Sequence, residues 1–223
     1  MEVARHPAKW SDNVLDEVYK QIKSAKRARA KAGGSGPMRV LDPFAGVGKI
    51  HRLMDLGYCE TVGIEIEPEW ACGDSRTLVG DALALPFPDK SFDGIVTSPT
   101  YGNRMADHHE AKDKSKRNTY RHYLGRMPTE GSAAIMQWGP EYRVFHREAI
   151  EEMIRVAETF AMISMSDHIR KGEQQPVVTW WVDTLAEYGC KGKVVKVPTP
   201  RHRHGANHDV RVQGEALIVV KIP

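Results

Sequence analysis

The sequence predicts an α/β domain with a mostly parallel, seven-stranded sheet, helices on both faces and a terminal antiparallel hairpin. Three observations lead to this fold class. Strand-like and helix-like segments alternate along the chain, which is the pattern of parallel sheets joined by crossover helices. The 223 residues, of which 41% are hydrophobic, suffice for one core, so we expect a single domain over 1–223. The last two strand-like runs have no helix between them and can pair as a hairpin.

The elements follow from hydrophobic spacing and from the residues that end each segment. Ser11 and Asp12 can cap a first helix, which has an apolar stripe and a basic end. Strands are expected at 38–41, 61–66, 77–79, 92–97, 160–165, 192–197 and 215–222. Further helices are expected at 48–56, 143–159 and 178–187. Residues 100–142 lack a clear period, and such long insertions in compact domains are usually functional or disordered.

Composition excludes several classes of protein. No run of eighteen apolar residues occurs, so we expect a cytoplasmic protein without a membrane partner. The net charge of +3 is too small to indicate a polyanionic partner by itself. Three cysteines, at 59, 72 and 190, fit neither a disulfide framework nor a CxxC metal site and are expected to be reduced and buried. The clustered histidines lack the spacing of zinc ligands, so no metal is predicted.

The segment VLDPFAGVGKI at 40–50 joins a strand, the acidic residue Asp42 and two glycines, Gly46 and Gly48, that open a helix. Glycines at this place let a ligand approach backbone N–H groups. A dinucleotide fingerprint would need a third glycine where His51 stands, and a P-loop would need Ser or Thr two residues after the second glycine. A carboxylate before the turn favours a ligand with an ammonium group over a pyrophosphate. The alternative is a tight turn without a ligand.

Two further carboxylates follow the next two strands. Glu65 ends the second strand, where an acidic side chain can accept hydrogen bonds from ribose hydroxyls. Asp81 follows the third strand and could accept from an adenine amino group. Because the carboxyl ends of parallel strands share one edge of the sheet, Asp42, Glu65 and Asp81 together indicate a site for a positively charged nucleoside.

The motifs DPFAGVG, GIEIEPEW, GDALALPFPDKSFDGIV and SPTYGNR occur in this order, and HPAKWSDNVLDEVYKQI precedes them. Together they resemble the S-adenosylmethionine-dependent methyltransferases that modify exocyclic amino groups of nucleic-acid bases. The resemblance implies a class I methyltransferase-like fold and S-adenosylmethionine as the cofactor. It also implies the cofactor contacts: Asp42, Phe44, Gly46 and Gly48 at the methionine moiety, Glu65 at the ribose, Asp81 at the adenine, and His6, Pro7 and Ala8 closing over the cofactor.

The turn Ser98-Pro99-Thr100-Tyr101 follows the fourth strand on the same edge of the sheet. An exocyclic amine is a poor nucleophile because its lone pair is delocalised into the ring. If the Ser98 hydroxyl and the Pro99 carbonyl accept the two amino protons, the lone pair is directed at the sulfonium methyl. Tyr101 would stack on a target base that has left the duplex. An ordinary Ser-Pro turn is the alternative.

Thr100 stands where the resembling family has a second proline. We expect this exchange to loosen the turn and to add a hydroxyl near the target amine. An unusual target base or a loss of activity would also agree with Thr100. An initial serine is more often seen in this family with cytosine N4 as the target than with adenine N6, so cytosine N4 is slightly favoured.

Residues 104–126 contain seven Lys or Arg residues and three acids, with tyrosines between them. This mixture suits phosphate neutralisation and base stacking, although a solvated charge run is the alternative. DNA is therefore the expected partner, with RNA less favoured. Sequence choice would come from the 100–142 insertion or from a second subunit, which leaves a homodimer open. The residues expected to bind the substrate are Thr100, Asn103, Arg104, Tyr120 and Arg121.

Two other functions stay open at the level of the sequence. Guanine amino-methyltransferases of tRNA resemble the same motifs, although they usually carry an attached RNA-binding domain. A nucleic-acid-binding module that keeps the cofactor fold but has lost catalysis would also agree with Thr100 in the turn.

Overall fold

The computed structural model describes residues 6, 10–102, 119–199, 212 and 214–223. Its strands are β1 (Arg39–Asp42), β2 (Glu60–Glu65), β3 (Thr77–Val79), β4 (Phe92–Thr97), β5 (Ala157–Met165), β6 (His168–Arg170), β7 (Glu173–Gln175), β8 (Lys191–Val197) and β9 (Glu215–Lys221). Its α-helices are α1 (Asp12–Lys31), α2 (Arg52–Asp55), α3 (Pro68–Ala71), α4 (Tyr120–Leu124), α5 (Pro140–Val156) and α6 (Val177–Glu187). Single 3-10 turns lie at Lys49–His51 and Ala133–Ile135.

Seven strands form one sheet in the order β3-β2-β1-β4-β5-β9-β8. The first five of these strands in the chain pair in parallel, while β9 runs antiparallel to both β5 and β8. This arrangement confirms the predicted sheet and its terminal hairpin. The strand order reverses between β1 and β4, and ligands of open α/β sheets bind in the crevice above such a reversal. The separate β6–β7 hairpin was not predicted, because its short strands, HIR and EQQ, are mostly polar.

Helix α1 begins where the capping residues predicted. The Val14 N–H donates to the Ser11 hydroxyl over 3.3 Å, which satisfies one of the free N–H groups of the first turn. The buried side chains Val14, Leu15, Val18 and Ile22 repeat at helical spacing. Three of them, all except Leu15, belong to a core that also contains residues of β8 and β9. The first helix of the chain therefore covers the last two strands.

The second face of the sheet is covered by α5 and α6. Trp181 is fully buried, and its indole N–H donates to the Tyr142 hydroxyl over 3.1 Å. Strand β5 begins at Ala157, directly after α5 ends and three residues before the predicted start. The early part was missed because Glu158 and Thr159 are polar residues at the exposed end of the strand. Side chains of α5, α6 and the sheet share the core on this face, and their packing places the start of α5 beside the carboxyl end of β4.

The cysteines agree with the prediction in part. All three are free, and Cys59 and Cys190 are buried, as expected. Cys72 is exposed, contrary to the prediction, because it caps the one-turn helix α3 at the surface. Among the described residues, no helix is both long enough and apolar enough to cross a membrane.

Candidate active site

A cavity of about 360 Å³ lies above the carboxyl ends of the first four strands. Its volume is in the range of small-molecule sites, which is about 300–1,000 Å³. Residues that follow β1, β2, β3 and β4 all contribute to its wall, as the parallel sheet requires. The wall contains three of the predicted groups together: the glycine turn, the carboxylates of Glu65 and Asp81, and the Ser-Pro-Thr-Tyr turn. These groups, which the sequence places after four different strands, therefore lie around one cavity.

The glycine turn has a backbone conformation that other residues rarely adopt. Gly46 and Gly48 have φ angles of +53° and +71°, in the left-handed region. A Cβ atom at Gly46 would lie 3.1 Å from the His6 Nε2 atom, and one at Gly48 would lie 2.6 Å from the His51 ring. Only Gly46 of this pair lines the cavity, since Gly48 lies against the buried His51.

Asp42 lies behind the wall of the cavity and is 2% exposed. Its Oδ1 atom accepts hydrogen bonds from the Phe44 N–H over 3.0 Å and from the Thr97 hydroxyl over 2.6 Å. Burial raises the pKa of this carboxyl to about 7. The structure thus differs from the expected contact with a methionine moiety: Asp42 ties the turn after β1 to β4. Phe44, in contrast, lines the cavity as expected.

Glu65 braces the glycine turn from the end of β2. Its two oxygens accept the Gly46 N–H over 2.7 Å and the Glu67 N–H over 2.9 Å. Burial is the main cause that raises its pKa to about 7. Each oxygen of an ionised carboxylate has two lone pairs, so a hydroxyl of a ligand can still donate to Glu65. The expected role at a ribose is compatible with this position, and the support of the turn is an additional role.

Asp81 lines the cavity after β3. Its Oδ1 atom accepts the Leu83 N–H over 2.9 Å, which orders the loop. Within the described residues, its second oxygen has no protein partner and can accept a hydrogen bond from a ligand.

The roof on this side of the cavity is aromatic. The His6 ring lies 4.3 Å from the Trp70 ring and 5.0 Å from the Tyr120 ring, measured between centroids. Tyr120 is buried and lines the cavity, so this ring forms part of the cavity wall. It is not the exposed platform for a substrate base that the sequence analysis expected. Pro7 and Ala8 lie outside the described residues.

Trp70 was not predicted as a site residue. It lines the cavity, and its indole N–H is buried without a hydrogen-bond partner among the described residues. A buried donor of this kind usually has a partner, and a bound ligand can supply one. The sequence signal was the tryptophan two residues after Pro68, on a helix of only one turn.

The Ser98–Tyr101 turn forms the opposite wall. The Ser98 and Tyr101 hydroxyl oxygens are 3.2 Å apart and share a hydrogen bond. Pro99 also lines the cavity, and no described residue donates to its carbonyl. Two candidate acceptors, the Ser98 hydroxyl and the Pro99 carbonyl, therefore belong to residues that line the same cavity as Gly46.

Thr100 does not loosen the turn. Its hydroxyl donates to the Ala133 carbonyl over 3.2 Å, and the Tyr142 hydroxyl donates to the Thr100 carbonyl over 2.9 Å. These bonds correct the expectation that the Thr100 hydroxyl is presented to a target amine, since a protein carbonyl already accepts its proton. The residue instead fixes the turn against two later segments of the chain.

Residues 119–139, which we call the wall segment, complete the cavity with Gly131, Ser132, Ala133 and Ala134. The segment is anchored on Glu67, which is fully buried. The Glu67 carboxylate accepts from the Arg126 guanidinium over 2.8 Å, from the Thr129 N–H over 2.8 Å and from the Thr129 hydroxyl over 2.9 Å.

Arg126 also pairs with Glu69 over 2.6 Å. This anchor has no local signal in the sequence, because Glu67 is about sixty residues from Arg126 and Thr129 in the chain. Of the other residues expected at the substrate, Arg121 is exposed on α4, while Asn103 and Arg104 lie outside the described residues.

Comparison with known proteins agrees with this geometry. Residues 41–118 match the family model of a methyltransferase domain. The PH0226 protein from Pyrococcus horikoshii OT3 superposes with a TM-score of 0.51 at 13% identity, over 96% of this chain and 95% of that chain. Magnesium protoporphyrin IX methyltransferase from Synechocystis PCC 6803, solved with bound S-adenosylmethionine, gives 0.51 at 10% identity, over 100% of this chain and 88% of that chain. The chain has the class I methyltransferase fold.

Another structure with this methyltransferase fold is the 4+2 cyclase SpnF, with a TM-score of 0.55 at 13% identity, over 98% of this chain and 85% of that chain. The fold by itself therefore does not give the reaction. No curated protein matches the sequence. The family match and the neighbour with bound cofactor support S-adenosylmethionine as the cofactor of this methyltransferase fold.

The cavity fits S-adenosylmethionine. Its wall contains a left-handed glycine turn that permits close approach, the apolar rings of Phe44 and Trp70, and carboxylate oxygens of Glu65 and Asp81. The carboxylates can accept from the hydroxyl and amino groups of the nucleoside, and their charge complements a sulfonium. The unpartnered indole N–H of Trp70 supplies a donor on the same wall.

Proposed function

We propose that the protein transfers the methyl group of S-adenosylmethionine to the exocyclic amino group of a DNA base, with cytosine N4 slightly favoured over adenine N6. The observation that carries this proposal is the pair of acceptors, the Ser98 hydroxyl and the Pro99 carbonyl, in the wall of the cavity that fits the cofactor. The sequence motifs that resemble amino-methyltransferases support the choice of an amine as the acceptor.

The bound cofactor supplies an electrophilic methyl group on a sulfonium. Ser98 can donate its own proton to the Tyr101 oxygen, which leaves both Ser98 lone pairs available to an incoming amine. The Pro99 carbonyl accepts the second amino proton, and the two bonds direct the nitrogen lone pair out of the plane of the base. This is catalysis by orientation and by fixed dipoles, because neither acceptor needs to change its protonation state in order to hold the amine, and the one proton that the methylated nitrogen loses passes to solvent water.

The wall segment gives this site a boundary for the acceptor. Ala133 and Ala134 are small, buried residues that line the cavity, and Phe145 at α5 supplies an aromatic side chain. A flat base needs such a slot after it leaves the stack of a duplex. The basic and aromatic pattern of the 104–126 sequence supports a nucleic acid as the source of that base.

The test is methyl transfer from tritium-labelled S-adenosylmethionine to duplex DNA, with tRNA offered in parallel. We expect label in DNA, and mass spectrometry of the digested nucleosides should find N4-methylcytosine. N6-methyladenine in place of it would retain the reaction class and change the base. Transfer to tRNA alone would show that the substrate is RNA. If calorimetry detects cofactor binding but neither DNA nor tRNA is methylated, the proposal is contradicted.

A further inference from the structure

A second opening lies beside the cavity, on the α1 face of the sheet. This cleft, which we call the flanking cleft, has a volume of about 460 Å³. It lies between the start of α1 and the helical turns that follow the glycine turn. The residues that line it are Trp10, Ser11, Asp12, Asn13, Leu15, Lys49 and Arg52.

The flanking cleft adjoins the cavity, because the two share lining residues. Trp10 and Lys49 line both, so one aromatic side chain and one cation stand at the junction. A polymer that places one unit in the cavity can therefore place a neighbouring unit in the flanking cleft. A small acceptor molecule would occupy the cavity alone and would not reach the flanking cleft.

The charge of the flanking cleft favours an anion. Lys49 is half-buried, and no acidic side chain pairs with it among the described residues. Arg52 forms one ion pair within the described ranges, with Asp12 at 3.8 Å, and the two side chains are 54% and 93% exposed. Such exposed pairs hold their partners weakly, so Arg52 is available to a phosphate. Two cations and a tryptophan are the combination that binds a nucleotide by its phosphate and its base.

We propose that the flanking cleft binds the nucleotide next to the target nucleotide, with the phosphate at Lys49 and Arg52 and the base on the Trp10 ring. This inference rests on the proposed function, since it assumes that the target base belongs to a nucleic-acid strand. Lys49 and Trp10 also line the cofactor cavity, whereas Arg52 does not. Arg52 is therefore the residue that separates the two sites experimentally.

The experiment measures binding of a fluorescein-labelled, single-stranded 12-nucleotide DNA by anisotropy, with S-adenosylhomocysteine present. We expect Arg52→Gln to weaken binding about fivefold and to lower the slope of log affinity against log salt by about 0.7, as loss of one phosphate contact on a single strand requires. Asp12→Asn should strengthen binding about twofold, because it removes a negative charge from the same cleft. These opposite signs cannot come from a general loss of stability.

Arg147→Gln is the matched control, because Arg147 is an exposed arginine of α5 on the other face of the sheet, paired with Glu187. It removes the same charge and should leave affinity and salt slope unchanged. If Arg52→Gln and Arg147→Gln change DNA binding equally, the proposed role of the flanking cleft is wrong. The proposed function would still stand if the wild-type protein methylates DNA. A wild-type protein that neither binds the 12-mer nor methylates DNA would overturn both. If the protein binds RNA of the same sequence more tightly than the DNA, the flanking cleft is still a nucleotide site, and its ligand is RNA.

Discussion

The two sides of the cavity are held in different ways. On the cofactor side, Asp42 and Glu65 accept backbone N–H groups of the glycine turn and of the strand ends beside it. On the acceptor side, the Ser98–Tyr101 turn is held by the Ala133 carbonyl and the Tyr142 hydroxyl, from parts of the chain more than thirty residues away.

This difference separates what the fold requires from what the substrate requires. Most of the cofactor side is formed by residues that directly follow β1, β2 and β3, so these residues are brought together whenever the sheet is formed. The acceptor side depends on the wall segment and on its anchor at Glu67. Changes on the two sides should therefore affect different measurements: cofactor affinity on one side and acceptor turnover on the other.

The largest effect is expected from Ser98→Ala, which removes one of the two acceptors that we propose for the amine. Methyl transfer to DNA should fall about 100-fold, the loss typical of one fixed hydrogen-bond partner at a reacting group. Cofactor affinity, measured by calorimetry, should stay within about twofold. Ser35→Ala, in the exposed loop after α1, is the control and should be fully active. Full activity of Ser98→Ala would remove this residue from the mechanism.

The second largest effect is expected from Arg126→Ala, because this change leaves the buried Glu67 carboxylate without its cation. Hydrogen bonds to charged groups contribute about 1.5–3 kcal/mol each, so the free energy of unfolding should fall by about 2 kcal/mol in urea titration. Acceptor turnover should fall as well, while cofactor affinity changes little. Arg147→Ala, which breaks an exposed pair with Glu187, should cost less than about 1 kcal/mol. Equal losses in both variants would show that the anchor is only a surface pair.

Gly46→Ala tests the cofactor side. The new Cβ atom would sit 3.1 Å from the His6 ring at a φ angle of +53°, so cofactor affinity should fall about tenfold. Gly36→Ala is the matched control, since Gly36 also has a positive φ, +77°, with nothing within 4 Å of its Cβ position. Both variants should lose a similar stability, about 1 kcal/mol, from the left-handed backbone. A parallel loss of cofactor affinity in both would contradict the specific role of Gly46.

The smallest effect is the pH dependence of cofactor binding. Burial raises the pKa of Glu65 to about 7, so this carboxyl is protonated below pH 7 and ionised above it. A sulfonium cofactor prefers the ionised form, and affinity should rise about fivefold between pH 6 and pH 8. Asp42 has its pKa raised to about 7 as well, so Glu65→Gln should reduce this rise without abolishing it. An affinity that falls over this interval would contradict the assignment.

The raised pKa values of Asp42 and Glu65 also determine how the stability of the fold changes with pH. Asp42 and Glu65 bind protons more tightly in the folded chain than in the unfolded chain, so their contribution to stability is full below about pH 4. It is lost as the pH rises from there to about 7. Glu65→Gln should therefore flatten this part of the stability profile in thermal unfolding.

Most of the fold was predictable because its signals are local. Strands β3 and β4 have the predicted bounds, and α1 begins directly after its predicted cap, Ser11. Short apolar runs and capping residues need no information from distant parts of the chain. The cofactor side was predictable for the same reason, since the turn at Gly46 and the acids at Glu65 and Asp81 follow strands directly.

The acceptor side was predicted less well because its contacts are long-range. The bond from the Thr100 hydroxyl to the Ala133 carbonyl has no local signal, so the sequence suggested a loosened turn. Glu67 looked like an ordinary acid before a one-turn helix, although it is the buried anchor of the wall segment. Tyr120 belonged to a basic, aromatic stretch typical of an exposed surface, and only its packing against His6 shows that it is buried.

The contact between the first helix and the last hairpin has a consequence for how the chain is made. Val14, Val18 and Ile22 of α1 share a core with Val197 and Leu217, which lie more than 170 residues later in the chain. Early residues such as Met38, Val40 and Leu53 cover part of the apolar stripe of α1, but its contact with β8 and β9 forms only after those strands have left the ribosome. Such late closure exposes the nascent chain to aggregation, and we expect its yield in cells to depend on chaperones that shield this helix during translation.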